Sequence, residues 1–396
     1  MKTIAVIGAG AAGCFCAAEL RRLLPPAGVV VFEAGRKPLA KVAVTGGGRC
    51  NLTNSFEGID SLSDIYPRGS RLMKRLLHRF SHEDTWRWFE AAGVPLVLQD
   101  DHCVFPRSQN AMDVVRALLR RMEGVSLRLE TPVRSVVPGK DGHLLVDGES
   151  FDSVVVTTGG APKGLPLLDG LDIEWVPTVP SLFSFTVCDE ALRALMGLVV
   201  NASVSIPGTS FKASGDLLIT DWGLSGPAIL KLSSYAARYL SDAGYKAPLC
   251  VNWLNLSETE GRSLLQELSG SNPRKQVSNT PPAGLQVRLW NHLTVKAGLR
   301  PDIRWAELGS KGFNRLVGIL TQDIYEIAGK TRFREEFVTC GGVALSEISP
   351  STLECKQYPG LYFAGEVLDI DAVTGGFNLQ AAWTTGFVAA QSIAMK

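Results

Sequence analysis

Six residues near the start of the chain carry much of its chemical information. Gly8-Ala9-Gly10-Ala11-Ala12-Gly13 follows a short apolar run, Thr3 to Ile7, and opens onto a helical stretch, Cys14 to Leu24. A second apolar run, Val29 to Phe32, ends at Glu33, twenty residues after Gly13. Strand, glycines, helix, strand and acid in this order form a dinucleotide-binding fingerprint. Gly8 permits the tight turn, Gly10 lets the backbone approach a pyrophosphate, and Gly13 lets helix and strand pack closely. Ala11 and Ala12 head a helix whose free N–H groups and positive dipole end favour phosphate. Glu33, followed by Ala34, is placed to accept hydrogen bonds from ribose hydroxyls.

The next segment departs from a nicotinamide dehydrogenase, which would continue with a helix and a third strand. Here Lys41 leads into Thr45-Gly46-Gly47-Gly48-Arg49-Cys50-Asn51-Leu52-Thr53-Asn54. Three consecutive glycines let the backbone lie flat against a ring system. Flavin disulfide reductases place CxxxxC in this region; Cys50 has no such partner, which excludes that mechanism. Near the C-terminus a strand-like run, Leu361 to Ala364, precedes Gly365-Glu366-Val367-Leu368-Asp369-Ile370-Asp371 and Gly375-Gly376-Phe377-Asn378-Leu379-Gln380. A Gly-Gly pair opening a helix suits the pyrimidine edge of a flavin, where reduction places negative charge. The backbone N–H groups of Asn378 and Leu379 are the expected donors. Val133 is expected against the adenine, and Thr157-Thr158-Gly159-Gly160 returns the chain to the pyrophosphate.

These segments, with Leu224-Ser225-Gly226-Pro227-Ala228-Ile229-Leu230, resemble one group of bacterial FAD-dependent oxidoreductases. That group includes aminoacetone oxidases and BaiN-type 3-dehydro-bile-acid Δ4,6-reductases, and the resemblance runs in order over essentially the whole chain. It implies an α/β fold: a discontinuous, glutathione-reductase-like Rossmann FAD-binding domain (1–182 and 340–396) and an inserted β-barrel-like middle domain (183–256 and 321–339). A small helical insertion (257–320) completes it. There are two departures. The group usually carries His where this chain has Asp221, and a longer Gly-rich loop after the segment matching Thr157–Gly160, where only Ala161 to Leu171 stand here.

Composition narrows the classes further. Forty Lys and Arg against thirty-nine Asp and Glu give +1, which predicts neither nucleic-acid nor membrane partners. No apolar run reaches the roughly 18 residues of a membrane span, so the expectation is a soluble protein. Eight scattered cysteines without CxxC predict reduced thiols in the cytoplasm and no zinc ribbon. Cys14 and Cys16 read as core fillers. Residues 68–92 read as amphipathic helix, with Leu72, Met73, Leu76, Leu77 and Phe80 on one stripe. Arg68, Arg71, Lys74, Arg75 and Arg79 are assigned to its solvated face. His78 and His82 have metal-ligand spacing, but Arg79 stands where a zincin carries its Glu, and no metal is expected. Strands are expected in 125–137 and 144–156, from Phe183 to Val251, and from Phe333 to Val338.

The expected function is hydride transfer between flavin and a small organic substrate. On resemblance, NAD(P)H-dependent reduction of an unsaturated ketone of steroid or bile-acid type leads. A flavin amine or aminoketone oxidase using O2 is the alternative; a non-catalytic flavin-binding or RNA-associated scaffold is the reading from another class. The sequence has one strand-glycine-helix fingerprint with its acid, so NAD(P)H, where used, must dock transiently over the flavin. Non-covalent FAD is expected, because no flavinylation motif is present. Cys50 and Asp221 are catalytic candidates, weighed against a packing thiol and a solvated loop acid. Trp222 and Phe377 are expected to line an apolar substrate slot.

Overall fold

Five segments form parallel strands: β1 (Thr3–Ile7), β2 (Gly28–Phe32), β3 (Ser126–Arg128), β4 (Ser153–Val156) and β5 (Leu361–Phe363). In this computed structural model, which describes residues 2–25, 27–160, 165–331 and 338–396, they make one sheet in the order β5-β4-β1-β2-β3. Strands β4 and β5 are buried throughout, as near-continuous apolar runs in a covered parallel sheet should be. Strand order reverses between β1 and β4, and open α/β sheets bind ligands outside the strand ends at such a point. Parts of the loop expected at 161–171 and most of the strand expected at 333–338 fall on 161–164 and 332–337, outside the described residues.

Five helices position the site: α1 (Ala11–Leu23), α2 (Ala40–Gly48), α3 (Ser70–Leu77), α4 (His82–Ala91) and α5 (Phe377–Ala394). Helix α1 is buried from Ala12 to Leu20, including Cys14 and Cys16, which are core fillers on opposite faces. Its buried acid, Glu19, accepts a hydrogen bond from Trp88 Nε1 (2.7 Å) and pairs with Arg22 (2.7 Å). Phe15, Phe89 and Trp383 fill the space between α1, α4 and α5, with ring centroids 5.3 to 6.3 Å apart.

The helical region read over 68–92 is two helices. Ser81 caps α4 by accepting from Asp84 N while the Asp84 carboxylate accepts from Ser81 N, a capping box that breaks the chain there. His78 therefore follows one helix and His82 opens the next, so the i,i+4 spacing places no pair on one face. Leu72, Met73 and Leu76 are buried, and Arg71, Lys74 and Arg75 are exposed. Arg68 departs from the expected solvated face: its side chain is 15% exposed.

The chain divides into two compact units, Met1–Pro180 with Val338–Lys396, and Ser181–Phe337. The second contains a closed antiparallel barrel. Its six strands, in order around the barrel, are Phe185–Val187, Gly223–Ser225, Lys212–Ile219, Val199–Ser205, Ala247–Asn252 and Asp323–Lys330. Helices Glu258–Ser271, Val287–Lys296 and Gly309–Thr321 share its hydrophobic core through Leu265, Trp290 and Leu316. No helix among the described residues is long and apolar enough to cross a membrane.

One buried ion pair joins barrel and helices. Lys296 Nζ lies 2.6 Å from Asp323 Oδ1 and over the Tyr325 ring, while Asp323 Oδ2 accepts from Trp253 Nε1 (2.9 Å). Removing one partner leaves a buried charge unpaired, the costly direction for such pairs. Lys296→Met is expected to lose about 3 kcal/mol of stability, and Lys296→Met/Asp323→Asn to recover most of it. Urea unfolding followed by tryptophan fluorescence reads both; equal losses would show that charge compensation is not what the pair contributes.

Candidate functional site

The end of β1 and the start of α1 are fitted together by backbone. A Cβ on Gly13 would lie 1.9 Å from Gly8 O, and one on Gly8 would lie 2.6 Å from Thr157 O, so neither position admits a side chain. Thr157 Oγ1 donates to Ile7 O (3.0 Å) and Gly8 O (2.8 Å), joining the ends of β1 and β4. Gly10 differs: nothing lies within 4 Å of where its Cβ would be. It is the extended N-cap of α1, with no side chain capping the helix and no acid in the first turn. Open backbone N–H groups beside an open glycine match the needs of a pyrophosphate. Thr158 Oγ1 is buried nearby in sequence with no hydrogen-bond partner among the described residues, a further polar atom available to a ligand.

Glu33 sits at the end of β2. Its Oε2 accepts from Ala9 N (2.9 Å) and its Oε1 from Gly35 N (2.7 Å), which orient the carboxylate and leave each oxygen a second lone pair. Ala34 is exposed beside it. The loop carrying half-buried Val133 is tied to this strand end by Thr131 N donating to Glu33 O (2.8 Å). Asp147 fixes its far side by accepting from Arg134 N (3.0 Å) and Ser135 N (2.8 Å).

The triple glycine does not form a simple loop. Residues from Ala40 are helical until Thr45, where α2 unwinds; Gly46, Gly47 and Gly48 then adopt φ of 59°, 68° and 82°. Nothing lies within 4 Å of where a Cβ on Gly47 or Gly48 would be, so their backbone faces open space. Arg49 lies over the Phe105 ring (4.4 Å) and donates to Gly46 O (3.2 Å), stiffening the turn. With its amide assigned so that donor meets acceptor, Asn51 spans two elements: its oxygen accepts from Gly376 N (3.2 Å) and its nitrogen donates to Thr53 O (2.9 Å).

Gly376, at φ 90°, is the N-cap of α5, again with no side-chain cap and no acid in the first turn. The first intrahelical bond runs from Gln380 N to Gly376 O, so the N–H groups of Phe377, Asn378 and Leu379 precede the helical ladder. The Asn378 side chain closes the preceding loop by bonding both Ala372 N and Ala372 O at 2.9 Å. Glu366 Oε1 accepts from Thr339 N (2.8 Å), its Oε2 lies 3.5 Å from exposed Lys41, and a Cβ on Gly160 would strike Thr339. Asp369 N donates to Val343 O (3.1 Å), while Gly365 N donates to Thr385 Oγ1 (2.8 Å). The residues assigned to FAD from the sequence thus lie on the first unit, along one route from Glu33 through the α1 N-terminus to the α5 N-terminus.

The other candidates are placed differently. Cys50 is fully buried and burial pushes its thiol up to about 12, so it stays a neutral packing group near pH 7. Phe377 is 5% exposed, with its ring edge-on to Phe56 and Tyr66, inside the first unit and not on an open face. Asp221 and Trp222 belong to the second unit. Asp221 is exposed and its carbonyl accepts from Arg193, and half-buried Trp222 accepts through its carbonyl from Val187 N (3.1 Å). Sequence reasoning missed Tyr66, Arg68 and Thr339, which bond to Phe377 O, Asp371 and Glu366 across long stretches of chain. No local spacing announces such partners.

The two glycines of the first turn give a sharp contrast. Gly10→Val is expected to keep the fold, since the space is open, yet to purify with less than about a tenth of the wild-type flavin. Gly13→Val is expected to lower the melting temperature of the flavin-free protein as well, because its side chain meets Gly8 O. Flavin absorbance per chain and thermal melts measure this; full flavin occupancy in Gly10→Val would sink the placement.

Comparison with known proteins agrees with the Rossmann-like fold. The model of the HI0933-like protein Rossmann domain family matches residues 2–392. A protein of Escherichia coli K12 named ribosomal RNA dihydrouridine synthase is 31% identical, with 98% of this chain and 97% of that one covered. A Haemophilus influenzae protein of the same name is 29% identical over 98% and 97%. The 3-dehydro-bile acid delta(4,6)-reductase of Clostridium scindens is 26% identical over 100% and 99%. Fingerprint, fold and a family match along nearly the whole chain lead to one conclusion: the chain belongs to the HI0933-like Rossmann-domain family and is an FAD-dependent oxidoreductase.

Proposed function

We propose that this enzyme reduces a carbon–carbon double bond conjugated to a carbonyl, drawing electrons from NAD(P)H. The carrying observation is that full-length relatives with different names share one bond chemistry. A dihydrouridine is a uridine whose ring double bond, conjugated to a carbonyl, has been saturated; a Δ4,6-reductase of a 3-keto steroid acts on a conjugated enone. Bound FAD supplies two-electron chemistry as hydride exchange, and the protein supplies binding, orientation and charge stabilisation. Residues Gly8–Gly13, Glu33, Val133 and Thr157–Gly160 are proposed to hold the adenosine and pyrophosphate. Lys41, Gly46–Asn51, Gly365, Glu366, Asp369 and Gly375–Leu379 are proposed to hold the ring system. The α5 N-terminus would stabilise negative charge gained on reduction.

Uracil and steroid enones are two arms of this reading. The expectation of no nucleic-acid partner rests on a near-neutral total, which does not prevent a locally basic face. Residues 257–320 hold nine Arg and Lys against five Asp and Glu, and most of the nine are exposed. That composition favours keeping RNA among the substrates tested.

Anaerobic addition of NADH or NADPH is expected to bleach the flavin band. A uridine-containing RNA or a 4,6-dien-3-one steroid should then restore it at least tenfold faster than buffer does. Bleaching by an aminoketone alone, with recovery only on admitting O2, would overturn the reductase reading in favour of an oxidase.

A further inference from the structure

The connection between helices Val287–Lys296 and Gly309–Thr321 is pinned to the segment after Glu258–Ser271. Val277 N donates to Ile303 O (2.9 Å), Trp305 N to Lys275 O (3.2 Å) and Ala306 N to Pro273 O (3.0 Å), and Gln276 forms an antiparallel bridge with Arg304. Trp305 is 2% exposed and stacks on buried Trp290, whose Nε1 donates to Val277 O (2.7 Å). With Trp305 turned inward, extended Arg304 beside it is turned outward. Helix Gly309–Thr321 adds Lys311 and Arg315, one turn apart on one face. A Cβ on Gly298 would lie 3.1 Å from Arg315 Nη1, so that face adjoins the start of the connection, two residues before Arg300.

The outcome is a positive face on a fixed backbone. Residues 272–276 and 297–315 hold six basic side chains, Arg274, Lys275, Arg300, Arg304, Lys311 and Arg315, against the acids Asp302 and Glu307, and all of these are exposed. Of the six, only Arg300 has a carboxylate partner among the described residues, Glu307 at 3.5 Å, and an exposed pair of this kind is worth little. The whole chain carries +1, so positive charge is concentrated here and offset elsewhere.

Phosphate is the chemistry this face matches. Four of the six are Arg, whose planar fork grips two phosphate oxygens at once. The same residues expose no large apolar side chain that could enter a lipid surface. Their aromatic rings are withdrawn: Trp305 is buried, and Phe313 is half-buried with Arg262 over its ring. Stacking on unpaired bases is therefore not what the face offers. We propose that it docks the phosphate backbone of a paired RNA stem. The inference rests on the reading that a uridine in RNA is among the substrates, and it adds which surface holds the polynucleotide.

The test uses the FAD-loaded, full-length protein and a fluorescein-labelled RNA hairpin with uridines in its loop. Fluorescence anisotropy follows binding from about 50 to 200 mM salt. Arg274→Gln/Lys275→Gln/Arg304→Gln/Arg315→Gln is expected to bind at least about tenfold more weakly, with the slope of log affinity against log salt reduced by about 3. Its FAD content and its bleaching by NAD(P)H should match wild type. If the quadruple variant fails to fold, Arg304→Gln/Arg315→Gln carries the test, with a loss of about threefold or more. Absence of RNA binding by the wild type, or binding that the variants retain, would overturn the proposal. Binding to phosphatidylcholine–phosphatidylserine vesicles in place of RNA would overturn it in favour of a membrane surface. RNA binding that the variants lose, without reoxidation of the reduced flavin by the bound hairpin, would support the docking face and overturn the uridine reading instead.

Discussion

Backbone-to-backbone packing around α1 is the constraint on which the rest of the first unit depends. Gly13 meets Gly8 O on one side, and on the other a Cβ at Gly386 of α5 would lie 2.7 Å from Ala12 O. Helix α1 is thus held between β1 and α5 at distances that leave no room for side chains. This contact fixes where both helices begin. From Gly386 back to the first residue of α5 is nine residues, roughly 14 Å at 1.5 Å per residue. Both N-termini set by this contact lack a side-chain cap.

Electrostatics follows from that arrangement. Neither α1 nor α5 has an acid in its first turn or a side-chain cap, so the positive ends of both are left for something else. The acids that do lie close are engaged by backbone or by partners. Glu33 holds Ala9 N and Gly35 N, Glu366 holds Thr339 N, and Asp371 is paired with Arg68. Negative charge is kept in fixed bonds while free N–H groups are presented. A cofactor with a diphosphate at one end and a ring that gains electrons at the other fits this division.

What the sequence disclosed, it disclosed where cause and effect are local. The β1-α1-β2 unit was legible because strand, glycines, helix and acid are contiguous. The break between α3 and α4 was also legible in principle, since Ser81-x-x-Asp84 is a capping pattern inside an otherwise helical stretch. The barrel, with 321–339 in it, was expected from the resemblance alone; the pairing of Phe185–Val187 with Asp323–Lys330 that closes it is a contact no local pattern encodes. The Arg68–Asp371 pair spans 303 residues, so Arg68 looked like one more basic residue on a helix face. Cys50 adjoins the glycines and was open to both a catalytic and a packing reading; its full burial favours packing. Phe377 likewise seemed free to line a slot until its contacts with Phe56 and Tyr66 were in view.

The proposed site is a single cradle that grips FAD at both ends, the adenosine side at Glu33 and α1 and the ring side at α5. Fluorescence titration of the flavin-free protein with FAD and with FMN tests this most directly, because FMN offers only the ring end and one phosphate. The expected result is one FAD per chain and an FMN affinity at least a hundredfold weaker. Equal affinities for the two would contradict the two-ended grip, since the first turn and Glu33 would then contribute nothing to binding.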